Sequence, residues 1–322
     1  MRAVVVVRHG GPDVLEVQDR PEPRPAAGQL LVEVAAAGVN FRDVYERRGA
    51  PPYDKEPPFT AGVEGAGSVR EAGEGVDEFG PGDRVAWVSA PGSYAELAIV
   101  DASQAVPVPE GVGDDEAAAA LLQGMTAHYL CSSTYPVREG DAVVVHAASG
   151  GVGLLLTQMV KMRGGRVIAT TSTDEKAELA RRAGADEVTG YERFADRARD
   201  LTEGRGVAAV YDGVGRSTFD QSLDSLRPRG YMVLYGAASG PVPQVEVARL
   251  NAGSLFLTRP VLHHHTASRS ELLERAGAVF AWMAEGRLAV RIGGRYGLAE
   301  ARRAHEDLEA RRTTGKLLLL PA

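Results

Sequence analysis

Over roughly the first third of the chain, apolar residues come in short blocks; beyond it they recur at helical spacing between apolar strands. The early blocks are Ala3–Val7, Gln29–Ala35, Gly67–Glu71, Arg84–Val88 and Ala95–Val100. Turn-forming stretches such as Gly10-Gly11-Pro12 and Gly80-Pro81-Gly82-Asp83 separate them. Short β-type runs bounded by Gly and Pro predict a compact, barrel-like β domain. The pattern changes near Asp114. Asp115–Cys131, rich in Ala and Leu, predicts a helix interrupted at Gly124. From there strands and helices alternate: Ala142–His146, helix Val152–Met162, Arg166–Thr171, helix Asp174–Ala183, Glu187–Thr189 and helix Phe194–Thr202. Strand Val207–Tyr211, helix Thr218–Leu226, and strands Tyr231–Tyr235 and Ser254–Thr258 follow. Such alternation predicts a parallel, doubly wound sheet.

The last stretch breaks this rhythm. A helix over Arg269–Glu285, a strand near Val290–Tyr296, a helix over Glu300–Arg311 and a strand Lys316–Leu320 do not continue the repeat. They are expected to return to the first domain, so that the alternating strand–helix unit is an insertion with a cleft beside it. The expected division is 1–123, 124–260 and 261–322.

The most informative stretch is Val143-Val144-Val145-His146-Ala147-Ala148-Ser149-Gly150-Gly151-Val152-Gly153. An apolar strand enters a small-residue turn and a helix begins at once. This is the dinucleotide fingerprint with Ala148 in the first glycine's place and Gly150 and Gly153 following. Small residues permit the turn and let backbone N–H groups at the helix start approach a pyrophosphate. An NAD site carries Asp or Glu about 20 residues on, at the end of the next strand. Here that place holds Thr170-Thr171-Ser172-Thr173, with Lys176 beyond. Hydroxyls and one cation suit a 2′-phosphate, so NADPH is the expected cofactor. Lys176 on a merely solvated helix face is the alternative. Asp174 and Glu175 complicate the reading, and Ser172-Thr173-Asp174-Glu175 fits a capping box that employs Glu175 at the helix start.

Composition narrows the classes. A chain of 322 residues suggests two domains. A net charge of −7 argues against nucleic acid as partner, because phosphate neutralisation needs clustered Lys and Arg. No apolar run reaches the ~18–20 residues of a membrane span, and the amino terminus has no signal-peptide pattern, so a cytoplasmic protein is expected. Cys131, the one cysteine, can build neither an intramolecular disulfide nor a thiolate zinc site.

Several segments resemble one family. They are Gly38-Val39-Asn40-Phe41-Arg42-Asp43-Val44-Tyr45, Gly62-Val63-Glu64-Gly65-Ala66-Gly67, Gly124-Met125-Thr126-Ala127-His128-Tyr129-Leu130 and the turn from His146 to Gly153. Val210-Tyr211-Asp212-Gly213-Val214-Gly215, Gly253–Pro260 and Thr313–Leu318 complete the set. Together they look like the quinone oxidoreductases (ζ-crystallin-like) of the medium-chain dehydrogenase/reductase superfamily. The resemblance implies a GroES-like β-barrel domain, an inserted Rossmann domain and a homodimer formed largely through the Rossmann domains. By position, Tyr129, Ser149, Gly150, Gly151, Val152, Ser172, Lys176, Tyr191 and Arg311 match the family's NADPH contacts. Lys176, Tyr191 and Arg311 would serve the 2′-phosphate. Gly236, Ala237, Phe256 and Leu257 would approach the nicotinamide, and Phe41 and Asp43 would join the cofactor site.

Zinc-containing members of the superfamily carry cysteine where this chain has Asn40, and His-Glu where it has Val63-Glu64. Catalytic zinc takes three protein ligands, and the usual soft ones are missing. No metal is expected. His263-His264-His265 reads as an extended loop whose neighbours point in opposite directions, which disfavours a shared metal. His265 lining the cleft and a loop cluster without a role both stay open.

Without metal the chemistry is hydride delivery from the nicotinamide, with the protein aligning donor and acceptor. Asn40 is a candidate for orienting a carbonyl or ribose hydroxyl. Tyr45 and Tyr53 are candidates for donating a hydrogen bond to a developing oxyanion; packing is the alternative for each. A quinone is the expected acceptor. A conjugated enone, enal or enoyl thioester is the first alternative, and an NADPH-binding structural or regulatory role is the second.

Overall fold

The computed structural model of the chain describes residues 1–321, which divide into two units. Met1–Leu122 and the segment from Thr266 onward form the first, and Gln123–His265 the second. In chain order, the first unit opens with strands β1 (Arg2–Val6), β2 (Leu15–Asp19) and β3 (Gln29–Val39), then helix α1 (Phe41–Arg47) and β4 (Phe59–Thr60). Strands β5 (Gly65–Ala72), β6 (Arg84–Trp87), β7 (Leu97–Asp101) and β8 (Val106–Pro107) follow, and helix α2 (Asp114–Tyr129) leads onward. The second unit holds β9 (Ala142–Val145), α3 (Gly151–Met162), β10 (Arg166–Thr170), α4 (Asp174–Arg182), β11 (Glu187–Thr189) and α5 (Phe194–Leu201). It continues with β12 (Val207–Asp212), α6 (Phe219–Asp224), β13 (Leu226–Leu234) and β14 (Phe256–Thr258). The chain then adds α7 (Arg269–Ala284), β15 (Ile292–Gly297), α8 (Ala301–Glu309) and β16 (Lys316–Leu320).

The closing strand returns to the first unit for a physical reason visible in its register. Lys316-Leu317-Leu318-Leu319-Leu320 pairs antiparallel with β3 through Leu317↔Val39, Leu318↔Gly38 and Leu319↔Ala37. This completes the sheet order β15-β16-β3-β5-β6-β8, with β7 also on β3; a second small sheet runs β2-β1-β4. Leu317 and Leu319 enter the same core as Val4, Val32, Trp87 and Val100. Full burial of such side chains is worth roughly 1.5–3 kcal/mol each, so the last strand is well anchored.

The second unit is a six-stranded parallel sheet ordered β11-β10-β9-β12-β13-β14. Val143, Val144 and Val145 of the central β9 are fully buried, as expected of a parallel strand covered on both faces. Strand order reverses on either side of β9, which places the ligand crevice at the carboxyl ends of the strands.

Four local expectations need correction. Gly124 does not interrupt α2, which runs unbroken to Tyr129 and ends in a π turn at Leu130–Thr134; packing outweighs one glycine's cost. Helix α6 is shorter than expected, and β13 begins at Leu226 instead of Tyr231 because Leu226 pairs with Val207 ahead of an irregularity that ends at Tyr231. His263, His264 and His265 lie in a 3-10 turn, Leu262–His265, so the extended-chain argument does not apply to them. The short strands β2, β4 and β8 carry too little pattern to be read from sequence. Among the described residues no helix is long and apolar enough to cross a membrane.

Candidate functional site

At the end of β9 the chain makes the tight turn that the small residues allow. Ala147 takes a left-handed φ of 49°, and Gly150, extended, starts α3 with no side-chain cap on the helix. The first-turn amides of α3 are therefore left by the protein's side chains for an acceptor from outside. A Cβ at Gly153 would lie 2.4 Å from the Ala147 carbonyl oxygen, so only glycine lets the helix pack this closely on the turn. At Gly151 a Cβ would strike the Gln123 side-chain amide at 1.8 Å.

His146 fixes the base of this turn. It is completely buried, with Nδ1 2.8 Å from Thr170 Oγ1 and Nε2 3.0 Å from Ser222 Oγ. Burial drives its pKa down to about 4, so the ring is neutral at physiological pH. Tyr191 lies alongside, ring centres 6.0 Å apart. Asp212, at the end of β12, accepts from the Val214 and Gly215 amides at 2.7 and 2.9 Å and from Thr218 Oγ1 at 2.7 Å. That carboxylate holds the next turn against Gly236, whose Cβ would meet the Gly213 carbonyl oxygen at 2.6 Å. Ala237 follows and closes the same turn through its carbonyl, which accepts from the Gly240 amide at 2.9 Å.

At the end of β10, Lys176 Nζ stands 3.5 Å from Ser172 Oγ, so two of the expected 2′-phosphate residues are adjacent. The capping assignment is corrected here. Thr173, not Ser172, is the N-cap, and its hydroxyl accepts from the Lys176 amide at 3.3 Å. Glu175 consequently falls one place short of the capping-box position, because the helix starts at Asp174, as expected, with Thr173 directly before it as the cap. Ser149 is buried in the β9 turn and Val152 lies in the first turn of α3. Tyr129 is buried and stacks face to face on His265, centres 4.2 Å apart and planes within 5°.

Phe256 is not brought to this group. It pairs with Tyr231, on which it stacks at 4.5 Å, in the register row of Val143, and Leu257 is one row on. Both are partly exposed on the edge strand. Thr258 is the residue that reaches the row of Val145, beside the phosphate-binding turn.

In the first unit, α1 gathers Asn40, Phe41, Asp43 and Tyr45. Asn40 Nδ2 donates to Glu64 Oε2 at 2.9 Å and to the Gly38 carbonyl at 3.2 Å, while Asn40 Oδ1 accepts from Lys316 Nζ at 2.7 Å. Lys316 also pairs with Glu64, both side chains fully buried, and Glu64 Oε1 accepts from the Leu122 amide at 2.7 Å. Gly38 makes room for this cluster: a Cβ there would lie 2.4 Å from Glu64 Oε2. Asn40 is thus held by three partners before any ligand arrives. An ammonium already neutralises Glu64, and the one thiol, Cys131, is buried with its pKa pushed up to about 12. That donor chemistry is poor for zinc. Among the described residues no group of three His, Cys, Asp or Glu is placed to hold a metal ion.

Asp43 caps α1 by accepting from the Asn40 amide at 2.8 Å, and Tyr94 Oη donates to the same oxygen at 2.8 Å. Its other oxygen, Oδ1, is buried without a partner, and burial lifts its pKa to about 7. Behind Tyr94 lies His305, Nε2 3.3 Å away, whose Nδ1 faces Arg47 Nη1 at 3.1 Å. Arginine can only donate, so Nδ1 accepts and Nε2–H donates to Tyr94, which in turn donates to Asp43. Burial and the Arg47 charge hold His305 neutral, its pKa near 3. Arg47 is paired outward with Glu309 at 2.5 Å. Tyr45 stacks on Tyr53 and meets Phe41 at a tilt, each ring centre 6.3 Å away, and the Arg42 guanidinium covers Tyr53 at 5.4 Å. Arg311 follows α8 in the left-handed conformation, φ 56°.

Glu64, Tyr94, His305 and Lys316 were not assigned roles from sequence. Lys316 offered one signal, a charge opening an otherwise all-leucine strand; the others are scattered along the chain and meet only in three dimensions.

Residues 26–110 match the alcohol dehydrogenase GroES-like domain family, and residues 151–279 the zinc-binding dehydrogenase family. The chain is 42% identical to a quinone oxidoreductase of Pseudomonas aeruginosa over 317 residues, 97% of each chain. It is 39% identical to a 2-haloacrylate reductase of a Burkholderia species, over 99% of this chain and 98% of that one. A mycobacterial protein solved in complex with NADPH superposes with a TM-score of 0.97 at 51% identity, covering all of both chains.

Proposed function

We infer that this chain, which belongs to the quinone oxidoreductase family of the medium-chain dehydrogenases and reductases, is a zinc-independent NADPH:quinone oxidoreductase. The observation that carries the cofactor choice is the end of β10, where Ser172 and Lys176 stand together and no carboxylate occupies 170–173. When bound, NADPH supplies the hydride. The pyrophosphate is held by the uncapped start of α3 at Gly151 and Val152, with Gly150, whose amide closes the turn onto Ala147, and Ser149 beside it. Lys176, Ser172 and Tyr191 take the 2′-phosphate, and Tyr129, Gly236 and Ala237 border the nicotinamide half. Leu257 completes the cofactor's surroundings in this unit, while Phe256 serves the strand edge instead.

Asn40, fixed by Lys316, Glu64 and Gly38, has both its N–H groups engaged, so its remaining lone pair accepts from a ribose hydroxyl and does not bind the acceptor carbonyl. A quinone that takes up a hydride also needs a proton to become a hydroquinone. Tyr45 and Tyr53 donate hydrogen bonds to the oxygen on which negative charge builds. The relative that reduces a 2-haloacrylate supports a second reading, reduction of a conjugated carbonyl compound at its β carbon. The protein is proposed to be cytoplasmic and to act as a homodimer through the Rossmann units. The free edge of β14, with Phe256, Leu257 and Val261 partly exposed, supports the latter.

The deciding experiment follows NADPH oxidation with benzoquinone, phenanthrenequinone and an aliphatic enal, with and without EDTA. Fast, EDTA-insensitive turnover of quinones is expected; turnover confined to the enal would favour the second reading, and inactivity with tight NADPH binding would leave only a structural role. Lys176→Ala should weaken NADPH binding by roughly 1.5–3 kcal/mol, the worth of a hydrogen bond to a charged group, and leave NADH binding unchanged. Titration of both cofactors checks this: equal losses would remove Lys176 from the phosphate site.

A further inference from the structure

A pocket of about 550 Å³ opens in the second unit away from the phosphate-binding turn. Arg138 precedes β9, and Arg227, Arg229 and Tyr231 lie at the start of β13, so the pocket sits at the amino-terminal ends of the strands. The cofactor turn lies at the opposite, carboxyl end of β9. Arg138, Arg227 and Arg229 line the pocket together with Tyr135 and Tyr231.

Its walls are built, not incidental. Arg227 is pinned by Asp141 Oδ1 at 3.2 Å and by Tyr135 Oη at 3.1 Å. Asp141 is held in turn by Tyr135 Oη at 2.8 Å and by the Arg138 amide at 3.0 Å. The Tyr135 and Tyr231 rings meet at 5.1 Å. Register explains how the arginines are presented. Leu226 pairs with Val207 and Tyr231 with Ala209, so Arg227-Pro228-Arg229-Gly230 bulges out of the strand. Arg229 sits there at φ 59°, a left-handed conformation that residues with a Cβ seldom adopt. Among the described residues Asp141 neutralises Arg227 only, and no carboxylate pairs with Arg138 or Arg229. On a chain of net charge −7, two unneutralised guanidiniums beside a third make a local anion trap.

We propose that this pocket is a second ligand site, for a small phosphoryl-bearing molecule with a ring. The phosphoryl oxygens take the forks of Arg138 and Arg229, with Arg227 as the fixed third cation, and the ring lies against Tyr135 and Tyr231. The volume is within the range of small-molecule sites and far beyond what one phosphate fills. The forked donor geometry suits phosphoryl oxygens better than a point charge would. The proposal is independent of the oxidoreductase reading, because the pocket shares no residue with the cofactor turn.

Calorimetric titration of NADPH-saturated protein with inorganic pyrophosphate and with adenosine monophosphate tests it, since the cofactor then blocks its own phosphate sites. One saturable site is expected, tighter for the nucleotide than for pyrophosphate. Arg138→Ala/Arg229→Ala should weaken both ligands at least tenfold while leaving the KM for NADPH and the melting temperature unchanged. Arg138→Lys/Arg229→Lys should lose less. Absence of saturable binding up to millimolar ligand, or equal binding by the double alanine variant, would overturn the proposal. Pyrophosphate binding without any preference for the nucleotide would reject the ring-bearing ligand.

Discussion

Lys316→Met is expected to destabilise the first unit by about 3–5 kcal/mol, the usual cost of removing one partner from a buried ion pair. Methionine keeps the length of the side chain, so the loss is electrostatic more than steric. Without the ammonium, Glu64 keeps only the Asn40 amide and the Leu122 N–H, and its charge is left buried without a counter-ion. The double variant Lys316→Met/Glu64→Leu should recover most of the loss, because an apolar replacement of both partners often costs little. Urea unfolding followed through buried Trp87, which lies in the same core as Leu317, reads the effect. A loss below about 1 kcal/mol, or a double variant no better than the single one, would show that the pair is not charged as drawn. Activity should fall as well in the single variant, since Asn40 loses the donor that fixes its carbonyl oxygen.

Acid should weaken the nucleotide-binding unit through His146. The folded ring has a pKa near 4, whereas the ordinary value is about 6.5. Between those values the unfolded chain binds a proton that the folded one does not, so stability rises as pH rises and is fully present above about 6.5. The span corresponds to roughly 3 kcal/mol. Hydrogen exchange of β9 amides between pH 4 and 7 measures it, after correction for intrinsic exchange. His146→Gln, which cannot charge, should flatten the slope; an unchanged slope would assign it elsewhere. In the first unit two groups oppose each other. His305, with a folded pKa near 3, stabilises with rising pH, while Asp43, raised to about 7, costs stability as pH rises from about 4 to 7. The two units should therefore differ in the shape of their pH profiles.

The parallel sheet was legible because its central strands are nearly continuous apolar runs, each followed by a helix. Val143–Val145, Val207–Tyr211 and their helices leave no other way to bury both faces. The phosphate turn was legible for a local reason too: Gly150, Gly151 and Gly153 are close in sequence and act through their own backbone. The return of the last strand was foreseen from the break in the repeat, and its partner, β3, needed the structure. The start of α4 at Asp174 was legible, but its cap was misread by one residue, at Ser172 instead of Thr173, because adjacent residues compete for the same cap and only the backbone angles decide.

What the sequence alone determined is what depends on near neighbours and period: the two kinds of unit, the glycine turn, the absence of an acidic residue at 170–173, and the lack of soft metal ligands at Asn40 and Val63. What only the tertiary structure decided depends on residues far apart in the chain. Asn40, Glu64 and Lys316 come from three separate segments, as do Asp43, Tyr94 and His305. Their chemistry arises from burial, which raises Asp43 and depresses His305, and burial belongs to the packed core, not to any stretch of sequence.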